Sequence, residues 1–170
     1  MTKTILDTER LTLRELHHGD AAFIVELLNE PGWLRYIGDR GIRTQDAARD
    51  YLENGPLAMY REHGFGLWVV EARDRREPLG LCGLIKRPAL ADIDIGFAFL
   101  ARHGRRGYGL ESATAVMAHA RDVLGLQRIV AITSVDNQPS IRLLERIGLR
   151  FEKMITLPGA DEPIKLFATT

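Results

Sequence analysis

The residues with the clearest chemical potential form the turn Gly104-Arg105-Arg106-Gly107-Tyr108-Gly109. Apolar side chains recur with period two over residues 92–100, which predicts a strand before the turn. Apolar positions three and four residues apart from Leu110 to Leu124 predict an amphipathic helix after it. Unpaired N–H groups and the positive end of the helix dipole meet at such a turn, and the two arginines add permanent charge. The turn therefore predicts an anion-binding site, with a merely tight connection as the alternative.

Two familiar phosphate-binding motifs do not fit this turn. The dinucleotide fingerprint G-x-G-x-x-G requires a glycine at position 112, where the chain has Ser112. The nucleoside-triphosphate loop requires Gly-Lys followed by Ser or Thr, and the sequence contains no such run. The anion therefore belongs to another kind of ligand.

The elements that must position the turn alternate between strands and helices. Seven strands are predicted, over residues 4–16, 65–72, 79–86, 92–100, 128–134, 151–157 and 164–168. Helices are predicted over residues 20–29, 44–54, 57–62, 110–124 and 139–147. Asp20 and Thr44 are expected to be N-caps, and Pro31-Gly32 to end the first helix, leaving residues 33–36 irregular. This order is typical of one mixed α/β sheet with helices on both faces, in which the strands at 92–100 and 128–134 are parallel neighbours.

The composition is that of an ordinary soluble globular domain. The chain has 170 residues, 45% of them apolar and 27% charged, which fits a single domain spanning residues 1–170. Lys plus Arg and Asp plus Glu each number 23, so the balanced charge gives no reason to expect a nucleic-acid or membrane partner. The start of the chain lacks the apolar segment of a signal peptide, and the single cysteine, Cys82, fits a core position in a cytoplasmic protein. The five histidines show no metal-ligand spacing, so no metal is expected.

Four further passages carry a resemblance to a known family. They are TERLTLREL at 8–16, LGLCGLIKR at 79–87, DIDIGFAFL at 92–100 and SVDNQPSIRLLERIGLRFE at 134–152. Together with the glycine turn they resemble the GNAT superfamily of acyl-CoA-dependent N-acetyltransferases, and within it the RimJ/RimL-type branch, which is ribosomal-protein-alanine acetyltransferase-like. The turn is similar to motif A of that superfamily, except that Gly104 stands where Gln, Arg or Trp is usual. The resemblance implies a GNAT fold, an α/β (α+β) domain with a single mixed seven-stranded sheet whose strands at 92–100 and 128–134 splay apart.

The resemblance also implies where acetyl-CoA, the cosubstrate, binds. The turn would hold the pyrophosphate, and the backbone of the preceding strand would pair with the pantetheine arm. Asn137 resembles the family's pantetheine-binding asparagine and also suits a helix N-cap, while Arg142 would reach the nucleotide end or remain a solvated helix charge. The cofactor-binding residues implied in this way are Phe97, Ala98, Phe99, Leu100, Gly104, Arg105, Arg106, Gly107, Tyr108, Gly109, Leu110, Asn137, Ser140 and Arg142.

The same resemblance implies three catalytic roles. The Phe99 N–H would stabilise the oxyanion, and Ser140 would protonate the leaving thiolate, unless its hydroxyl only caps a helix. Many relatives carry a tyrosine a few residues further on, where this chain has two leucines, so Ser140 or water must serve. Asp94 fits the acidic position of the branch and is the candidate general base. Asp92 is second, and one of the two is a simple strand-edge charge in the alternative interpretation.

The function implied is acetyl-CoA-dependent N-acetyl transfer to a primary amine, by direct attack in a ternary complex. The amine is a protein N-terminal α-amine or a small molecule, and the enzyme is expected to be a monomer or a homodimer. The alternative is an acyl-CoA-binding regulatory module without catalysis. Segments 31–43, 55–63 and 158–163 should shape the acceptor site, where Trp33 and Tyr36 either line the pocket or simply pack.

Overall fold

One mixed sheet of eight strands organises the chain, in the order β1-β2-β3-β4-β5-β6-β8-β7. The computed structural model describes residues 3–170. Its strands are β1 (Thr4–Asp7), β2 (Leu11–Glu15), β3 (Leu67–Ala72), β4 (Pro78–Ile85), β5 (Ile93–Phe99), β6 (Ile129–Thr133), β7 (Arg150–Ile155) and β8 (Ile164–Ala168). Its helices are α1 (Ala21–Leu28), α2 (Pro31–Tyr36), α3 (Gln45–Asn54), α4 (Pro56–His63), α5 (Tyr108–Asp122) and α6 (Gln138–Arg146). β5 and β6 are parallel neighbours, as predicted, and the other paired strands are antiparallel.

The first predicted strand is in fact a hairpin. Residues 4–16 form β1 and β2, which pair antiparallel with Thr4 opposite Arg14. A turn closed by the Thr8 N–H, which donates to the Leu11 carbonyl at 2.8 Å, connects them. The hairpin raises the strand count from the predicted seven to eight. It also places the turn between β1 and β2 beside the start of α5.

One expectation about the N-terminal helices is wrong and a second holds in part. Pro31 does not leave an irregular segment behind it but begins α2, at a position where an N–H would have no intrahelical partner. Asp20 is the N-cap residue of α1, as predicted, but its side chain makes no capping hydrogen bond. Its carboxylate instead accepts from the His17 N–H at 2.9 Å and pairs with the buried Arg14 at 2.9 Å. Thr44, in contrast, caps α3 as predicted.

Apolar side chains cover both faces of the sheet. On one face, α5 and α6 pack against the strands through a core that includes Ala113, Val116, Leu144, Trp68 and Ile95. On the other face, α1 to α4 pack through a core that includes Ile24, Leu28, Leu52, Val69 and Leu81. Cys82 lies in the first core, where burial raises the pKa of its thiol to about 12, so it is a core residue as predicted.

β5 and β6 separate soon after they pair. The register joins Ile93 to Ile129 and Asp94 to Val130, and it goes no further among residues 3–170. β5 nevertheless continues to Phe99, so most of its length faces a gap instead of a neighbouring strand. The predicted splay between these two strands is confirmed.

Candidate active site

The gap between β5 and β6 opens a cleft of about 770 Å³ that is lined from both faces of the sheet. Phe97 packs on the core under α5, whereas Leu27 and Leu81 belong to the core under α1 to α4, and all three line the cleft. One end of the cleft lies at the start of α6, and the other lies among α2, α3 and α4. The cleft can therefore receive one ligand from each side of the sheet and bring the two together.

The exposed edge of β5 presents unpaired backbone groups to this cleft. The Leu100 N–H donates to the carbonyl of Leu79 in β4 at 2.9 Å, so the backbone groups of residue 100 face β4. Because backbone groups alternate in direction along an antiparallel strand, the N–H and C=O groups of Phe97 and Phe99 face the opposite way, toward β6. β6 has diverged at that level. These groups can pair with an extended ligand that carries amides, and an N–H among them can stabilise a developing oxyanion.

The glycine turn ends in a helix N-terminus with free donors. Gly107 is the N-cap of α5 and has a φ of 81°, a left-handed conformation that favours glycine. The first helical hydrogen bond runs from the Glu111 N–H to the Gly107 carbonyl at 3.0 Å. The N–H groups of Tyr108, Gly109 and Leu110 therefore have no intrahelical acceptor and are available to an anion.

The hairpin between β1 and β2 clamps this turn in place. The Glu111 carboxylate accepts from the Thr8 hydroxyl at 2.5 Å and from the Arg10 Nε–H at 2.7 Å. Arg10 also donates from Nη1 to the Arg106 carbonyl at 2.9 Å, and its guanidinium lies 4.6 Å from the centre of the Tyr108 ring. These hydrogen bonds hold the pKa of the Glu111 carboxyl below its usual range, against the opposing effect of burial. The turn is thus a fixed surface, with Arg105 and Arg106 exposed beside it.

Close packing joins the turn to the cleft. A Cβ atom added at Gly109 would lie 3.3 Å from Leu143 and 3.8 Å from Phe99, both of which line the cleft. The residues of the turn are not themselves part of the cleft wall; they lie just beyond its α5–α6 end. An anion on the turn and a chain in the cleft can therefore belong to one extended ligand.

The start of α6 brings two of the predicted residues to the same end of the cleft. Asn137 caps α6, with its Oδ1 accepting from the Ser140 N–H at 3.4 Å, and both side chains line the cleft. The Ser140 hydroxyl has no hydrogen-bond partner among residues 3–170, so the cap belongs to Asn137 and the hydroxyl is free. Arg142 is exposed on α6 and does not line the cleft.

Asp94 lies at the point where β5 and β6 part, and it is 1% exposed. Burial raises the pKa of its carboxyl from 3.8 to about 6, and the neighbouring Arg87, at 3.1 Å, opposes that rise. A carboxylate with this pKa can accept a proton near neutral pH. Asp92 instead forms an exposed ion pair with Arg128 at 3.0 Å, outside the cleft wall.

The predicted base and the predicted oxyanion donor lie far apart on one strand. Five residues separate Asp94 from Phe99, which corresponds to roughly 16 Å along an extended strand. The Phe97 N–H faces the same gap at roughly 10 Å from Asp94. For Asp94 to accept a proton from an amine bound near either N–H, water in the cleft would have to carry that proton.

The far end of the cleft is built by segments on which the sequence was uninformative. Trp33 and Tyr36 of α2 both line it, and Trp33 is also 6% exposed and packed in the core, so the two predicted alternatives hold together. Sequence reasoning missed Arg40, Tyr51 and Arg87, which line the same end. Arg40 lies in segment 31–43, which is predicted to shape the acceptor site, so its location was a signal. Tyr51 and Arg87 lie outside the predicted acceptor segments, and no pattern in the sequence indicated them.

Two further features bear on what the cleft can do. Within residues 3–170, no three His, Cys, Asp or Glu side chains are grouped so that they could hold a metal ion. No helix in the same part of the chain is long and apolar enough to cross a membrane.

Comparison with known proteins agrees with this geometry. Residues 10–150 match the model of the acetyltransferase (GNAT) domain family. The chain is 31% identical over 155 residues to YoaA of Bacillus subtilis, described as an uncharacterized N-acetyltransferase, covering 89% of this chain and 85% of that protein. An acetyltransferase structure from Agrobacterium tumefaciens superposes with a TM-score of 0.83 at 24% identity, covering 98% of this chain and 94% of the other. RimL, described as a ribosomal L7/L12 alpha-N-protein acetyltransferase in complex with coenzyme A, shares the fold with a TM-score of 0.82 at 18% identity, covering 98% of this chain and 97% of the other. The chain belongs to the GNAT family and is an N-acetyltransferase, with structural neighbours that include the RimL type.

Proposed function

We propose that the chain transfers the acetyl group of acetyl-CoA to a primary amine by direct attack in a ternary complex. The observation that carries this proposal is the cleft between β5 and β6, which is open to both faces of the sheet. Its α6 end adjoins the anion-binding turn, and its α2–α4 end adjoins a buried carboxylate with a pKa of about 6. A thioester and an amine that enter from opposite faces meet at the free edge of β5 without a covalent enzyme intermediate.

The cofactor half of the proposal assigns a role to each part of the α6 end. The N–H groups at the start of α5, with Arg105 and Arg106, hold the pyrophosphate of acetyl-CoA. The pantetheine arm lies along the edge of β5 and pairs with the backbone groups of Phe97 and Phe99, since those of Ala98 and Leu100 face β4. The Asn137 amide, whose oxygen caps α6, offers its NH₂ group to that arm. Gly104 contributes backbone only, so the contact made by a Gln or Arg side chain in related turns is replaced or lost here.

The chemical half of the proposal follows the electrons. The amine nitrogen attacks the thioester carbon, and the Phe99 N–H stabilises the negative charge that develops on the carbonyl oxygen. The carbon–sulfur bond then breaks, and the thiolate leaves with a proton from the Ser140 hydroxyl or from water. Only the neutral amine can attack, so the ammonium form of the acceptor first loses one proton to Asp94 through water. A second proton leaves the nitrogen as the tetrahedral intermediate collapses to the amide, and it replaces the proton given to the thiolate.

The acceptor is a separate question, because neighbours with the same fold act on different amines by their descriptions. RimL is described as an alpha-N-protein acetyltransferase, and a chimera of SpeG from Vibrio cholerae as a spermidine N-acetyltransferase. The fold alone therefore does not choose between a peptide N-terminus and a small molecule. A base with a pKa of about 6 favours an amine that is already partly neutral.

One assay tests the whole proposal. Thiol release from acetyl-CoA is followed with a disulfide reagent across peptides with free N-termini, amino acids, polyamines and aminoglycosides. Turnover with intersecting double-reciprocal plots supports a ternary complex, whereas parallel plots would indicate a covalent acetyl-enzyme. Calorimetry with acetyl-CoA runs alongside; binding without turnover on any amine would replace the proposal by the regulatory module.

A further inference from the structure

One of the charged side chains at the acceptor end of the cleft has no ion-pair partner among residues 3–170. Arg87 and Asp94 neutralise one another at 3.1 Å. Glu30 also lines the cleft, beyond the opposite end of β5, where its Oε1 accepts from the Ala101 N–H at 3.1 Å. Arg40 remains: it lines the cleft and is exposed, and it forms no ion pair with any carboxylate among residues 3–170.

The local sequence does not supply Arg40 with a partner. Its neighbour Asp39 is already bound to Arg43, with their side chains 2.7 Å apart. The Gly41 N–H also donates to the Asp39 carboxylate at 2.8 Å and fixes it in that direction. Arg40 is therefore left as a cation whose charge faces the cleft without compensation.

Two further hydrogen-bond donors lie at the same end. Tyr51 lines the cleft, and burial raises the pKa of its phenol while the charges of Arg40 and Arg87 oppose the rise, so its hydroxyl is protonated and both cations are within electrostatic reach. Trp33 is 6% exposed, and its indole Nε1–H has no hydrogen-bond partner among residues 3–170. This N–H is itself buried, so the Trp33 ring contributes an apolar wall beside the Arg40 guanidinium and the Tyr51 hydroxyl.

The chemistry of these groups selects a ligand. The guanidinium of Arg40 and the phenol O–H of Tyr51 are both donors, and the two carboxylates that line the cleft, Glu30 and Asp94, already have partners. Such a set suits an anion, and a planar guanidinium suits a carboxylate above all. It does not suit a polyamine, whose further cations would need free carboxylates.

Resting on the proposed acetyl transfer, we propose that the amine acceptor carries a carboxylate close to its reacting amine, and that Arg40 binds this carboxylate with Tyr51 and Trp33 beside it. The amine then lies deeper in the cleft, toward Asp94. The carboxylate has two possible sources, an acidic side chain beside a peptide N-terminus or the α-carboxylate of a free amino acid.

A matched pair of acceptors tests the proposal. Ser-Glu amide and Ser-Gln amide differ in one charge, and their α-amines are closely alike. We expect kcat/KM for the Glu dipeptide to exceed that for the Gln dipeptide by roughly three- to tenfold, as for one charge-assisted hydrogen bond at a partly exposed site. Arg40→Gln should reduce the ratio of the two kcat/KM values to about one, whereas Arg49→Gln should leave that ratio unchanged. Arg49→Gln is the matched control, because Arg49 is exposed on α3, pairs with Asp46 and does not line the cleft.

The outcomes separate this proposal from the one it rests on. Equal kcat/KM for the two dipeptides, or a ratio that survives Arg40→Gln, overturns the carboxylate subsite while turnover itself upholds acetyl transfer. Alanine and alaninamide identify the source: a preference for alanine that Arg40→Gln removes indicates a free amino acid. If no amine is turned over, calorimetry of the dipeptide pair against protein saturated with coenzyme A decides the matter, since equal affinities would overturn the subsite without any need for catalysis.

Discussion

The substitution Asp94→Asn tests the buried carboxylate on which the chemistry depends. Asp94 is 1% exposed, and burial raises the pKa of its carboxyl from 3.8 to about 6 in spite of Arg87. This difference corresponds to about 3 kcal/mol of free energy at 25 °C. Between these two pH values the unfolded chain has released the proton and the folded chain still holds it. The wild-type free energy of unfolding therefore contains this contribution fully below pH 3.8 and loses it as the pH rises through about 6.

Asp94→Asn has no proton to release at this position. Urea denaturation followed by circular dichroism at several pH values from 4 to 7 compares the two proteins. The free energy of unfolding of the variant minus that of the wild type should increase by about 2–3 kcal/mol across this range. Strain that the amide introduces equally at every pH shifts all the values together and leaves this increase unchanged. Asp92→Asn, which removes the carboxylate of the exposed pair with Arg128, is the matched control, and its difference should change by about 1 kcal/mol or less. A flat difference for Asp94→Asn would refute the assignment of a buried, neutralisable carboxyl.

The catalytic role has a separate readout. If Asp94 accepts the proton, kcat/KM of the wild type rises through about pH 6, apart from the ionisation of an α-amine at about 7.7–8.0. Asp94→Asn should lose the limb near pH 6, and kcat should fall by roughly 10²- to 10⁴-fold. Loss of stability dependence with an unchanged pH–rate profile would leave Asp94 as a structural residue and assign the proton to water.

Three other outcomes are expected. Gly107→Ala should weaken acetyl-CoA binding in calorimetry, because the added Cβ would lie 3.3 Å from the Arg10 guanidinium and a φ of 81° disfavours alanine. Gly125→Ala is the control, since it introduces similar backbone strain at a φ of 69° in open space away from the turn. Equal acetyl-CoA affinities in the two variants would contradict the pyrophosphate site. If the Ser140 hydroxyl protonates the thiolate, Ser140→Ala should lower kcat by roughly 10²-fold or more with little change in the acetyl-CoA KM. The cap of α6 should survive, because the Asn137 side chain accepts from the backbone N–H of residue 140. An unchanged kcat would assign the proton to water. A peptide with a free N-terminus should be acetylated with a higher kcat/KM at pH 7 than an N-blocked peptide with an internal lysine, since deprotonation costs about 1 kcal/mol for the α-amine and about 4–5 kcal/mol for the lysine; equal rates would contradict the idea of a weak base.

The parts of the fold that depend on local pattern could be predicted. The strand–turn–helix unit around Gly107 and the parallel pairing of β5 with β6 follow from hydrophobic period, glycine placement and the crossover rule. Pro31 and Asp20 show where local rules were insufficient. Local sequence does not decide whether a proline ends one helix or begins the next. The Asp20 carboxylate forms an ion pair with Arg14 of β2, a contact that local sequence does not predict.

The parts of the site that depend on tertiary approach could not be predicted. The hydrogen bond between Arg10 and Glu111 joins residues 101 positions apart, and the hydrophobic periodicity of the sequence cannot predict such a contact. Arg40 is one of 23 basic residues, and only its place on the cleft wall and the pairing of Asp39 with Arg43 single it out. The pattern gave Asp94 as a candidate base, but its fitness for that role comes from burial beside Arg87, which depends on how β4 and β5 meet the helices.

The positions of base and oxyanion donor along β5 constrain one another. Phe97 and Phe99 both direct an N–H to the gap, and each step of two residues moves the carbonyl by roughly 7 Å relative to Asp94. A carbonyl at Phe99 lies nearer the glycine turn and needs a longer water relay to Asp94, whereas a carbonyl at Phe97 shortens the relay and requires the pantetheine arm to reach further into the cleft. The length of the arm is the same for every acyl-CoA, so the depth of the thioester is set by where the turn holds the pyrophosphate. In the proposed mechanism, the hydrogen bonds that join Arg10, Glu111 and Arg106 fix the position of the turn and thereby the distance over which a proton must travel to Asp94.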